Sequence, residues 1–175
     1  MNQIPRLIVD GPINASYGQM YLASGDVVGE EHFLSAFAGQ TNGLCGGSDQ
    51  GVLSLRCSSL AMDVPISVHV HDTPPPIDHA WEEIVEAPFT PLEGPVHLYG
   101  CGGNSVEVPI PTEHYRARCC ASGLVDLPDI GVPGETSERY LLILWPEARR
   151  PDEIIKQTSK FAKYLHNKVW PSPAP

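Results

Sequence analysis

Eighteen prolines and sixteen glycines are spread along a chain of 175 residues. Each proline removes a backbone donor and each glycine weakens a helix interior, so long amphipathic helices are nearly excluded. Hydrophobic residues at 42% and charged residues at 18% give the chain enough apolar surface to fold, and argue against disorder. A length of 175 residues suits one domain with a real core. The turn-rich chain therefore reads as one packed domain: a body over 1–150, a C-terminal helix over 151–170 and a frayed tail over 171–175.

Period-two alternation marks half-buried strands. It is clearest from Val64 to His71, where Ile66, Val68 and Val70 face one way and Ser67, His69 and His71 the other. Arg6–Val9, Ser16–Leu22, Val52–Cys57, Val96–Tyr99, Val106–Ile110, Tyr115–Ala121 and Tyr140–Trp145 read as further strands. Many are separated by turn signals such as Asp10-Gly11-Pro12, Asn42-Gly43 and Pro74-Pro75-Pro76. This spacing predicts a mainly β fold, a two-sheet antiparallel β-sandwich. Pro151 at a first helical position, Asp152 and Glu153 behind it and Lys163 and Lys168 further on predict a closing helix. Its apolar stripe of Ile154, Thr158, Phe161 and Leu165 would pack on the sandwich. A shorter helix is expected over 30–37.

The net charge of −10 is unevenly placed: residues 1–138 carry −14, residues 139–175 carry +4, and every lysine lies in the last twenty positions. So acidic a body repels phosphate backbones and disfavours nucleic acid as a direct ligand. It attracts a basic protein, although acidity also serves plain solubility. The apolar run near the start, Leu7 to Val9, is too short for a membrane span or a signal-peptide core, and five cysteines are an odd number for a disulfide framework. A cytoplasmic setting with reduced thiols is the expectation.

Three sets of residues are candidates for chemistry. His69 and His71 on one strand face emerge about 7 Å apart and, with Asp72, form the best metal candidate in the chain. A zinc site needs three or four converging ligands, and no Cys-x-x-Cys or His-x-x-x-His supplies the rest. Cys45 and Cys101 precede Gly-Gly turns without a catalytic signature, while Cys119 and Cys120 would point to opposite strand faces. No phosphate-binding glycine motif occurs, and no cofactor is implied. The third set is the stretch from Asp72 to Glu86, in which Asp72, Asp78, Glu82, Glu83, Glu86 and Trp81 surround the stiff proline triplet. Pre-organised carboxylates of this kind suit a basic cleft; the alternative is a solvated loop leading into a strand, with Trp81 and Ile84 in the core.

Ser16-Tyr17-Gly18-Gln19-Met20-Tyr21, Pro88-Phe89, Val108-Pro109-Ile110-Pro111, Tyr115-Arg116-Ala117-Arg118-Cys119 and Glu138 to Pro146 follow one another in an order that resembles the DNA-entry nuclease inhibitors related to competence protein J. The resemblance covers most of residues 6–146. It implies a small β-sandwich that binds and inhibits a nuclease and performs no catalysis itself; it assigns no inhibitory residue. The segment after Pro151 and the Cys-Gly-Gly stretches depart from that pattern. The leading expectation is a non-catalytic module that neutralises a basic nuclease or toxin, with Asp72, Asp78, Trp81, Glu82, Glu83 and Glu86 as its contact residues. The others are an enzyme using His69, His71 and a thiol, and a structural protein assembling through its sheet edges.

Overall fold

The computed structural model describes residues 6–58, 63–101, 103–125 and 137–168. Eleven strands among them form two sheets. The larger sheet contains β1 (Arg6–Asn14), β5 (Asp63–Val70), β10 (Arg139–Pro146), β9 (Tyr115–Ser122), β6 (Glu83–Phe89) and β11 (Glu153–Lys156), side by side in that order. The smaller has the order β3 (Cys45–Gly46), β4 (Val52–Arg56), β2 (Gln19–Ser24), β7 (Val96–Gly100) and β8 (Ser105–Glu107). All pairs are antiparallel except β5 with β10, which run parallel from Ile66↔Tyr140 to Val70↔Leu144.

The alternation read from the sequence becomes the core. Val64, Ile66 and Val68 of β5 meet Leu142 and Leu144 of β10, Val85, Ala87 and Phe89 of β6, and Leu22, Leu53, Leu55 and Leu98 of the facing sheet, all essentially out of contact with water. Each such side chain removed from water stabilises the fold by about 1.5–3 kcal/mol. Cys119 points into this core and Cys120, the next residue, to the outer face, as a strand requires.

Several elements differ from the sequence reading. The turn expected at Asp10-Gly11-Pro12 lies inside β1, which runs on to Asn14, and the strand expected over Val106–Ile110 is confined to Ser105–Glu107. Residues 30–37 form two separate 3-10 turns, Gly29–His32 and Ser35–Phe37, instead of one helix. The chain from 16 to 18 is a 3-10 turn, so β2 begins at Gln19. The closing helix is shorter than its charge pattern predicts: 153–156 is an edge strand paired with β6, and the helix α1 spans only Lys160–His166. β-branched Ile154 and Ile155 favour the extended form, and Ser159 supplies the true N-cap by accepting from the Ala162 N–H at 3.0 Å. Ala162 and Leu165 then dock on the core, as the apolar stripe predicts, whereas Ile154 remains partly exposed. The tail at 171–175 lies outside the described residues.

Asp152 and His166 make two of the polar contacts that fasten this terminal segment. The Asp152 carboxylate accepts from the backbone N–H groups of Thr41 and Asn42, from the Thr41 hydroxyl and from the Asn42 amide, at 2.6–3.1 Å. At the far end, His166 Nδ1 accepts from the Gly43 N–H at 3.0 Å, and burial holds its imidazole below the ordinary 6.5. Asp152→Ala should therefore cost about 2 kcal/mol in denaturant unfolding, the scale of a charged hydrogen-bond set left without its acceptor. Because the folded state favours neutral His166, its contribution is complete above pH 6.5 and is lost as the pH falls below that value. His166→Asn, which keeps an acceptor but does not titrate, should flatten this part of the stability profile.

Candidate protein-binding surface

The outer face of the large sheet is built from charge. Alternate residues of β9 turn Arg116, Arg118 and Cys120 outward, and the register sets Glu86 of β6 opposite Arg118. Glu86 accepts from Arg116 Nε and Arg118 Nε, both at 2.9 Å, and from Arg150 Nη2 at 3.0 Å. Glu86, Arg116 and Arg118 are all buried. The guanidinium of Arg118 also lies 5.0 Å from the ring centre of Trp145.

These arginines hold two chain segments over the sheet. Arg118 Nη1 donates to the carbonyls of Pro75 and Pro76, and Arg116 Nη1 to those of Arg150 and Pro151. The proline-containing loop is thus tied down along its middle. Its far end is fixed as well: Lys156 Nζ donates to the carbonyls of His79 and Trp81 at 2.9 and 2.8 Å, and Asp78 accepts from the Ala80 N–H. The Glu82 N–H donates to the Ser122 hydroxyl, and the Glu82 carboxylate accepts from the Gly123 N–H.

The six residues singled out from the sequence separate into two groups. Asp72, Asp78 and Glu82 are exposed along the tethered loop, and Trp81 is half-buried with the Arg139 guanidinium 4.7 Å from its ring centre. Glu83 and Glu86 are buried and are not part of the exposed surface. Burial raises the Glu83 carboxyl above its ordinary range, although it accepts from the N–H groups of Thr158 and Ser159. Ile84 is buried, and Trp81 instead lines an open groove of about 410 Å³ with Asp10, Pro12, Pro65, Ser67, His69 and Arg139.

The candidates for chemistry fall into place as follows. His69 and His71 share one strand face with ring centres 6.3 Å apart, and burial lowers both below the ordinary imidazole value. Among the described residues they are not joined by a third His, Cys, Asp or Glu in a group able to hold a metal ion. Contact with Cys45 and burial push the Cys119 thiol well above its ordinary range, burial does the same for Cys57, and Cys120 is pushed up to about 12. These thiols are held protonated, the opposite of what nucleophilic catalysis needs. Cys45, expected in a flexible turn, is a buried strand residue.

Sequence reasoning misses the cations that shape this face. The signal is present: arginines two apart on β9 share a face, and an isolated glutamate on a neighbouring strand is their natural partner.

The sandwich can be set beside known proteins. No family model matches the chain, and no curated protein sequence does. The solved structure of ComJ from Bacillus subtilis, described as an inhibitor of the DNA-degrading activity of NucA, superposes with a TM-score of 0.57 at 13% identity over 83% of this chain and all of ComJ. The two share a fold. The product of crocagin biosynthetic gene J superposes with a TM-score of 0.52 at 11% identity, again over 83% of this chain and the whole of the other. The resemblance to ComJ read from short motifs is therefore real at the level of architecture. No helix among the described residues is long and apolar enough to cross a membrane.

Removing the centre of the charged cluster tests its structural role. Glu86→Ala should destabilise the protein by about 3–5 kcal/mol, because three arginines lose their shared acceptor and two of them stay buried. Hydrogen exchange should rise first at the amides of 77–82, whose loop Arg118 tethers.

Proposed function

We propose that this protein is a non-catalytic binding module that neutralises a basic enzyme, a nuclease or a toxin-like effector, in the manner of an immunity protein in the cytoplasm. The observation that carries the reading is the rigid acidic loop. Asp72, Asp78 and Glu82 stand exposed beside Trp81 on a segment whose carbonyls are already held by Arg118 and Lys156. A surface fixed before encounter loses little entropy on binding. The net charge of −10 draws in a cationic partner from a distance. The shared fold with a nuclease inhibitor supports the same reading.

Glu83 and Glu86 serve it indirectly: one anchors the start of α1, the other the arginines that hold the loop. Trp81, with its apolar ring and the groove beside it, is the contact expected to control dissociation.

The test is a plasmid-degradation assay with purified protein titrated against NucA and against any basic nuclease or toxin encoded beside its own gene. Inhibition should weaken with added salt. Asp72→Asn, Asp78→Asn and Glu82→Gln combined should slow association about tenfold at low salt, while Trp81→Ala should mainly speed dissociation. Undiminished activity of both enzymes in saturating excess of the protein overturns the reading.

A further inference from the structure

Tyr17 combines two features that folding does not require. Its backbone has φ 62 and ψ 17, and among the described residues it is the sole non-glycine in the left-handed region. Its side chain is 78% exposed. A bulky aromatic is a poor choice for that conformation, which glycine or asparagine adopts more readily, and an exposed ring contributes little to the core.

The turn that carries Tyr17 is nevertheless fixed from several sides. Asn14 Oδ1 accepts from the N–H and the hydroxyl of Ser16, and the Gly18 N–H donates to the Ala15 carbonyl. The Cys57 N–H donates to the Gly18 carbonyl, tying the turn to the end of β4. Gly100 and Gly103 let a second turn close against it: a Cβ at Gly100 would fall 1.7 Å from the Asn14 carbonyl oxygen, and one at Gly103 would fall 2.4 Å from the Asn14 Cβ. The unfavourable backbone is held in place so that one ring projects into solvent.

The sheet register shows what lies nearby. Asn14, three residues before Tyr17, pairs with Asp63, and Pro12 pairs with Pro65 in the wall of the groove beside Trp81. Tyr17 and Trp81 are therefore carried at the same end of the sandwich. Asp63 and Glu82 are exposed at this end, while Arg139 lies over the Trp81 ring, Lys156 on the loop carbonyls and Arg56, paired with Gln19, over the Phe33 ring. An aromatic on a fixed turn among carboxylates is complementary to a cationic cleft.

We infer that Tyr17 is the anchor by which this end of the sandwich docks into the basic enzyme, its ring entering the partner's cleft while Asp63 and Glu82 meet the cationic rim. The assignment rests on the inhibitor reading above and adds a second contact, on a different element from the acidic loop.

The experiment compares Tyr17→Asn, Tyr17→Gly and Tyr17→Phe with the unaltered protein, by thermal melting and by inhibition of NucA or of a basic enzyme encoded beside its gene. Tyr17→Asn and Tyr17→Gly should melt no lower than the parent, because the backbone strain is relieved, yet inhibit about tenfold less well. Tyr17→Phe keeps the ring and should retain most of the inhibition. A fall in melting temperature of more than about 4 °C in the Asn and Gly variants would make Tyr17 a structural residue and overturn the inference. Undiminished inhibition by those two variants overturns it too, while leaving the inhibitor reading intact. If the parent inhibits neither enzyme, the inhibitor reading fails and the anchor falls with it.

Discussion

Glu86 is the point on which the outer half of the molecule depends. Its two carboxylate oxygens take three arginines, two of which, Arg116 and Arg118, reach onward to the carbonyls of residues 75, 76, 150 and 151. Side chains from β6 and β9 thereby replace an apolar layer as the means of fastening two irregular segments to the sheet. A hydrophobic cluster of equal volume could give as much stability, but it would not direct hydrogen bonds at particular carbonyls. The cluster thus fixes where the loop between β5 and β6 lies, and so where Asp72, Asp78 and Trp81 stand.

How much of this was legible in the sequence follows from what each element depends on. β5 and β10 are read directly because hydrophobic alternation and burial coincide in them. β6 escapes the same reading because Glu83 and Glu86 resemble solvated charges until their partners on β9, at Thr158 and Ser159 before α1, and at Arg150 are known. β11 is hidden by helix-type end signals at Pro151 to Glu153, which serve tertiary contacts instead: the Asp152 carboxylate holds Thr41 and Asn42, and the Glu153 backbone pairs with Glu86 of β6. Local propensity gave way wherever a long-range partner was available.

The exposed part of the candidate surface was legible as an acidic, proline-stiffened stretch, but its electrostatics were not. A count of −14 over residues 1–138 treats every carboxylate as surface. Glu83 and Glu86 are internal, and Lys156 and Arg139 from the cationic terminal segment return to lie against the loop they appeared to oppose. What remains is a local pattern: exposed carboxylates on fixed turns, with aromatic rings at Tyr17 and Trp81 between them. Local fields of this kind select a partner's orientation, whereas net charge only hastens its arrival.

The parallel pairing of β5 with β10 bears on how the chain assembles as it is made. The β1–β5 pair is complete once residue 70 has emerged, but the strand that receives it spans Arg139–Pro146. Until then β5 carries an unpaired edge, while everything between the two strands is synthesised. Contacts so distant in sequence close slowly, and an open edge invites pairing with other chains. Pro65 lies in β5 itself, and as a residue without a backbone donor it makes that waiting edge a poor template for a foreign strand.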